Sequence, residues 1–209
     1  MLRGSIRIII LACIFTLLSF TSGCVEQESS VFDEIDNNKE LIKLSNLCPS
    51  ELIQESDISF NDETNYCERN QQSCLSKCLT GSSNHCFGLA NHFNIVESPE
   101  KYSRPLYAKS CQLGLASSCT NMAAGMKRDQ GLEAAICYTP TFQKTCELDD
   151  PWGCTMYAVS LIYGEGVKKD TDVALDVLKN SCRFGETDRA CSTAMDLASD
   201  IIKGDFSEE

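Results

Sequence analysis

The chain has 209 residues, 43% of them hydrophobic and 23% charged, with 14 cysteines and a formal net charge of −12. Such an acidic balance excludes nucleic acid and anionic lipid head groups as direct ligands, because both need basic patches. The length gives one domain an ample core once a leader is set aside.

Arg3 and Arg7 precede an apolar run of 13 residues, Ile8 to Phe20, and the small Ser22 and Gly23 follow. This order predicts a secretory signal peptide over residues 1–23, since a spanning helix needs about 17–25 apolar residues. The ending TSGC resembles the bacterial lipobox at Ser22, Gly23 and Cys24, with Thr21 where that motif usually has an aliphatic residue. The resemblance implies cleavage before Cys24, acylation of Cys24, and a lipid-anchored place in the bacterial cell envelope. Val25 after the acylated residue resembles outer-membrane sorting. The plainer alternative is an ordinary secretory signal with an incidental cysteine.

Cleavage removes Cys13, lipid consumes Cys24, and 12 cysteines remain, an even number in an oxidising compartment where disulfides are the default. The mature chain then carries 16 Lys plus Arg against 30 Asp plus Glu, a net charge near −14. Residues 24–38 are polar and acidic and are expected to form a tether. Apolar residues return from Lys39, so residues 39–66 are expected to cap the domain and residues 67–209 to form its body.

Four cysteine pairs recur along that body: Cys78 and Cys86, Cys111 and Cys119, Cys146 and Cys154, Cys182 and Cys191. Members of a pair lie 8, 8, 8 and 9 residues apart, and the first members follow at intervals of 33, 35 and 36. A period of this size marks stacked repeats, each burying its apolar face only against its neighbours. In DTDVALDVLKNSC, Val173, Ala174, Val177, Leu178, Ser181 and Cys182 form one helical face. After Phe184 and Gly185 a second face resumes with Cys191, Ala194, Met195, Ala198, Ile201 and Ile202. The same layout surrounds Cys146 and Cys154, broken at Asp149, Asp150 and Pro151. Each pair is therefore expected to join the end of one helix to the start of the next. The predicted fold is all-α: an α/α superhelical solenoid of about four disulfide-stapled helix-turn-helix repeats.

The stretch LIYGEGVKKDTDVALDVLKNSCRFGETDRAC resembles the Sel-like repeat, a relative of the tetratricopeptide repeat, in its cysteine-rich bacterial form. The resemblance rests on Tyr163, Gly164, Gly166, Val167, Lys169, Asp170, Ala174, Lys179, Cys182, Gly185, Ala190 and Cys191. Gly164 and Gly166 suit a left-handed turn, Asp170 can cap the next helix, and Ala174 permits close approach. YAKSCQLGLASSCTNMA and FQKTCELDDPWGCTMYA match the helix-turn-helix half, and CLSKCLTGSSNHCFGLA is a weaker copy. Pro105 and Pro140 are expected to interrupt the first helices of the second and third repeats.

Closing a loop of about eight residues contributes roughly 2.5 kcal/mol in the chain-entropy model, so the eight cysteines are read as structural staples. Cys48, Cys67, Cys74 and Cys137 are left over, and four cysteines allow three pairings. If residues 66–79 form one helix, Cys67 and Cys74 lie about 10.5 Å apart, beyond disulfide reach. Cys48 is then expected to bridge to one of them, tying the N-terminal segment to the first repeat.

Two chemical constellations compete with this structural reading. Cys74, Cys78, His85, Cys86 and His92 are soft ligands close in sequence, but Cys78 and Cys86 are already a repeat pair, and no metal or cofactor is expected. Ser98 to Lys101 spells SxxK, the start of the serine acylase signature of penicillin-interacting enzymes. No KTG follows, one such spacing is expected by chance, and Ser98 before Pro99 reads more simply as a helix cap. No catalytic residue is therefore assigned. The expected function is a monomeric, membrane-anchored scaffold binding a protein or peptide on its concave face. The alternative is a β-lactamase-like or penicillin- or peptidoglycan-binding hydrolase, a label some cysteine-rich relatives of the repeat carry.

Overall fold

The computed structural model describes residues 30–54, 59–96, 100–204 and 206. The signal peptide, Cys24 and Ser98 lie outside the described residues. Within them the regular structure is helical: twelve α-helices and one 3₁₀ turn, with no strand.

Four helix pairs carry the repeats. They are α5 (Gln71–Leu79) with α6 (Ser83–Ile95), α7 (Glu100–Gln112) with α8 (Ala116–Gln130), α9 (Ala135–Glu147) with α10 (Pro151–Tyr163), and α11 (Thr171–Asn180) with α12 (Arg189–Lys203). Each helix packs against the one before and the one after, forming a solenoid in which contacts pass from neighbour to neighbour. All four expected staples are present, with Cα–Cα distances of 4.6, 4.8, 4.4 and 4.4 Å from the first repeat to the last. The turns beneath them need left-handed backbone, which Gly81, Gly114 and Gly185 supply in three repeats and Asp149 supplies at φ 67° in the third.

Local chemistry sets the helix ends. Asp170 caps α11 by accepting from the Val173 N–H at 3.0 Å, and Gly164 ends α10 at φ 72°. Gly166 is held at φ 64°, where an added Cβ would lie 2.8 Å from the Ala135 carbonyl oxygen. The expected interruptions at Pro105 and Pro140 do not occur: α7 and α9 run through both. Each proline stands six residues before its staple cysteine and frees one carbonyl in the preceding turn, on Lys101 or Ile136, both exposed residues. Water can satisfy that carbonyl while the buried face holds the helix.

A hydroxyl stands immediately before the first cysteine of the last three repeats, and each is buried against the repeat before it. Ser110 donates to the Ser83 carbonyl at 2.9 Å, Thr145 lies 2.9 Å from the Thr120 hydroxyl, and Ser181 lies 2.9 Å from the Thr155 hydroxyl. The inter-repeat interface is thus a ladder of satisfied hydroxyls beside the staples. Lys77 occupies the equivalent place in the first repeat and is exposed.

The N-terminal region departs from expectation in three ways. Residues 31–37, expected within the tether, form a helix, α1 (Val31–Asn37), opened by a capping box between Ser30 and Asp33. Val31 and Ile35 are buried, and the Phe32 ring lies 5.2 Å from Phe93 and 4.5 Å from Tyr102, so this segment does have apolar surface to bury. Second, residues 66–79 are two helices, α4 (Thr64–Arg69) and α5, parted at Asn70, whose side chain donates to the Tyr66 carbonyl at 2.9 Å. The break brings Cys67 to a Cα–Cα distance of 5.6 Å from Cys74, and the two are bonded to each other. Third, Cys48 is bonded to Cys137 across 89 residues of sequence, not to the first repeat.

That last bond shows what residues 31–52 do. With α2 (Lys39–Ser45) and α3 (Pro49–Leu52), α1 forms a strap that touches the first repeat at Phe93 and runs across the first helices of the second and third repeats. Asp36 pairs with Lys101 at 2.8 Å, Glu40 with Lys109 at 2.6 Å, and the Ser50 carbonyl accepts from Lys144 at 3.0 Å. An acidic strap therefore meets a row of lysines on α7 and α9. At the other end of the solenoid, α12 leaves Met195 and Ile202 51% and 77% exposed. In the preceding repeat the residue at the place of Met195, Ala158, is buried.

Candidate functional site

Successive tight turns place the starts of the second helices along one edge of the solenoid, and two adjoining hollows open there. One, of about 320 Å³, is lined by residues that include Leu115, Ser117, Asp149, Asp150, Arg183 and Phe184. The other, of about 410 Å³, is lined by residues that include Phe87, Asn91, Asn121, Trp152 and Asp188. Phe60, Ser117, Asp150, Pro151 and Phe184 belong to both, so the hollows form one groove across repeats one to four.

Three aromatic side chains in this groove are left open: Phe60 at 52%, Trp152 at 40% and Phe184 at 67% exposure. Phe60 and Phe184 are held in place by their neighbours. The loop bearing Phe60 is pinned to α6, because Asn84 accepts from the Asn61 N–H at 3.1 Å and donates to the Ser59 carbonyl at 3.0 Å. Phe60 then stands edge-on to Phe87 with ring centroids 5.2 Å apart. Trp152 is the second residue of α10, and Phe184 sits in the turn closed by Cys182–Cys191. The Arg183 guanidinium lies 5.3 Å from the centre of the Phe184 ring, pairs with the Asp149 carboxylate, and donates to the Asp149 carbonyl at 3.2 Å.

Asp150 is the buried polar group of the groove. Its carboxylate accepts from the Thr120 hydroxyl, from the Gly153 N–H at 3.1 Å and from the Ser117 hydroxyl at 3.4 Å. Burial pushes its pKa up, and these hydrogen bonds oppose the shift. Gly153 is required beside it: an added Cβ would lie 2.9 Å from the Cys146 nitrogen and would also strike the Thr145 hydroxyl. Asp188 is half-buried at the rim and caps α12 by accepting from the Ala190 N–H at 2.8 Å.

The sequence constellations are dispersed. Cys74, Cys78 and Cys86 are all in disulfides and have no thiolate to offer a metal. His92 lies 3.2 Å from the Gln71 side chain; His85 contacts Ser82 and Lys77 at 2.7 and 3.2 Å, and its pKa is lowered by burial and then by the Lys77 charge. Of the SxxK pair, Lys101 is bound to Asp36 at the exposed edge of the strap. Phe60, Trp152 and Asp150 were not singled out as site residues from sequence. For Trp152 the readable signal is its phase: Ser117 and Trp152 each precede the second cysteine of a staple by two residues, and Phe184 follows the first cysteine of its staple by two.

Among the described residues no helix is long and apolar enough to cross a membrane. In comparisons with known proteins, no family model, no curated protein and no solved structure matches the chain.

Proposed function

We propose that this chain is a lipid-anchored scaffold of the bacterial cell envelope, built from Sel-like repeats, that holds an extended polypeptide segment in the groove along its turn edge. The observation carrying this reading is the row of solvent-open aromatics, Phe60, Trp152 and Phe184, in a continuous groove across the repeats. Exposed aromatics rimmed by polar groups favour binding, because their burial by a partner gains apolar area at little entropic cost. Asn91, Ser117 and Asn121 make the lining beside them polar. The left-handed glycines and the Asp170 cap are features the Sel-like resemblance would require.

A photo-crosslinking residue placed at Phe184, on the groove, and at Ile136, exposed and away from it, tests the reading in cells. Labelling of a polypeptide at position 184 with none at 136 supports it; equal labelling at both contradicts it. Cys24→Ser in the same cells should move the protein from the membrane pellet to the soluble fraction. Pelleting of that variant in high salt would remove the anchor from the proposal.

A further inference from the structure

The charge of the groove indicates what kind of segment it takes. Three carboxylates, Asp149, Asp150 and Asp188, line the hollows against a single cation, Arg183. Arg183 is already spent on Asp149, which leaves Asp150 at the floor and Asp188 at the rim without a basic partner among the lining residues. Asp150 is buried between Ser117 and the first turn of α10 and receives only neutral donors. Phe60, Trp152 and Phe184 line the same hollow as these two carboxylates.

We infer that the groove recognises a polypeptide through a cationic side chain, lysine or arginine, seated among Phe60, Trp152 and Phe184 and directed at Asp150 and Asp188. This rests on the peptide-binding reading above. A cation gains from both halves of such a site, since ring quadrupoles and carboxylates attract it together. An anionic side chain would meet two like charges, and an apolar one would cover the half-buried Asp188 without supplying a counter-charge. The protein shows the arrangement on its own account in Arg183, stacked on Phe184 and paired with Asp149. The net charge of −12 steers cationic segments toward the surface as well.

Trp152 is the only tryptophan of the chain, so its emission reports on this groove alone. The mature protein is titrated with nonapeptides of Ala and Ser whose central residue is Arg, Lys, norleucine or Glu. Arg and Lys peptides are expected to bind at least about tenfold more tightly than the norleucine peptide, with the Glu peptide weakest and the gap narrowing as salt rises. Asp188→Asn, which keeps the cap on α12, should shrink the gap several-fold without altering the far-UV circular dichroism. Equal affinity for the Arg and norleucine peptides would overturn the cationic inference and leave the groove reading standing. Trp152 emission unmoved by every peptide would overturn both.

Discussion

Thr155 and Ser181 meet hydroxyl to hydroxyl at 2.9 Å in the fully buried interface between the third and fourth repeats. Thr155 also lies 3.1 Å from the Pro151 carbonyl, whereas its hydroxyl is the partner the structure gives Ser181. Thr155→Val therefore strands a buried hydroxyl and is expected to cost about 1–3 kcal/mol, and Ser181→Ala less. The double variant should be destabilised by less than the sum of the singles. Chemical denaturation of the four proteins checks this, and simple additivity would show that the ladder carries no coupling.

The strap is the most strongly tethered element in chain-entropy terms. Cys48–Cys137 closes a loop of 89 residues, worth about 4–5 kcal/mol in that model against about 2.5 for each repeat staple. Cys48→Ser with Cys137→Ser should accordingly lower stability more than removing any one staple. Proteolysis should then cut first within residues 31–52. The pair of Asp36 and Lys101 is largely exposed and screened by solvent, so Lys101→Ala should leave the melting temperature nearly unchanged.

Asp150 gives the protein a signed pH response. Burial raises its folded-state pKa above the ordinary 3.8, so between the two values the native state binds more protons than the unfolded chain. Its contribution is complete below the unfolded value and is lost as pH rises through the folded one. Asp150→Asn keeps acceptors for Thr120 and Gly153 but cannot ionise. The variant's melting temperature relative to wild type should therefore be higher at pH 7 than at pH 4. The reverse order would contradict the burial argument. Asp150→Ala, which removes the acceptors too, should cost about 1–3 kcal/mol at either pH.

The repeat body was legible because a disulfide staple fixes helix phase. Once Cys146 and Cys154 are placed across a turn, the break at Asp149, Asp150 and Pro151 falls between the two helices, and the structure has the second helix start at Pro151. The N-terminal third was not legible in the same way. Whether residues 66–79 make one helix or two depends on Asn70, a residue tolerated in either state, and the whole disulfide scheme turned on that choice. Phe32 and Ile35 read as part of an acidic tether because the surface that buries them, on α6 and α7, lies more than 50 residues away in sequence. Pro105 and Pro140 misled for the opposite reason: local propensity disfavours them, and tertiary packing overrides it. The groove stayed hidden because Phe60, Trp152 and Phe184 come from a loop, a helix start and a turn that only the fold brings together.

The groove is the surface proposed to hold a partner. Phe60→Ser with Phe184→Ser removes two of its three open aromatics at positions that contribute little to the core. Titration of this double variant against the polypeptide crosslinked at position 184, alongside a thermal melt, is the most direct measurement. The expected result is a Kd raised at least tenfold with a melting temperature within a few degrees of the parent. An unchanged Kd in a folded double variant would contradict the claim that this groove binds.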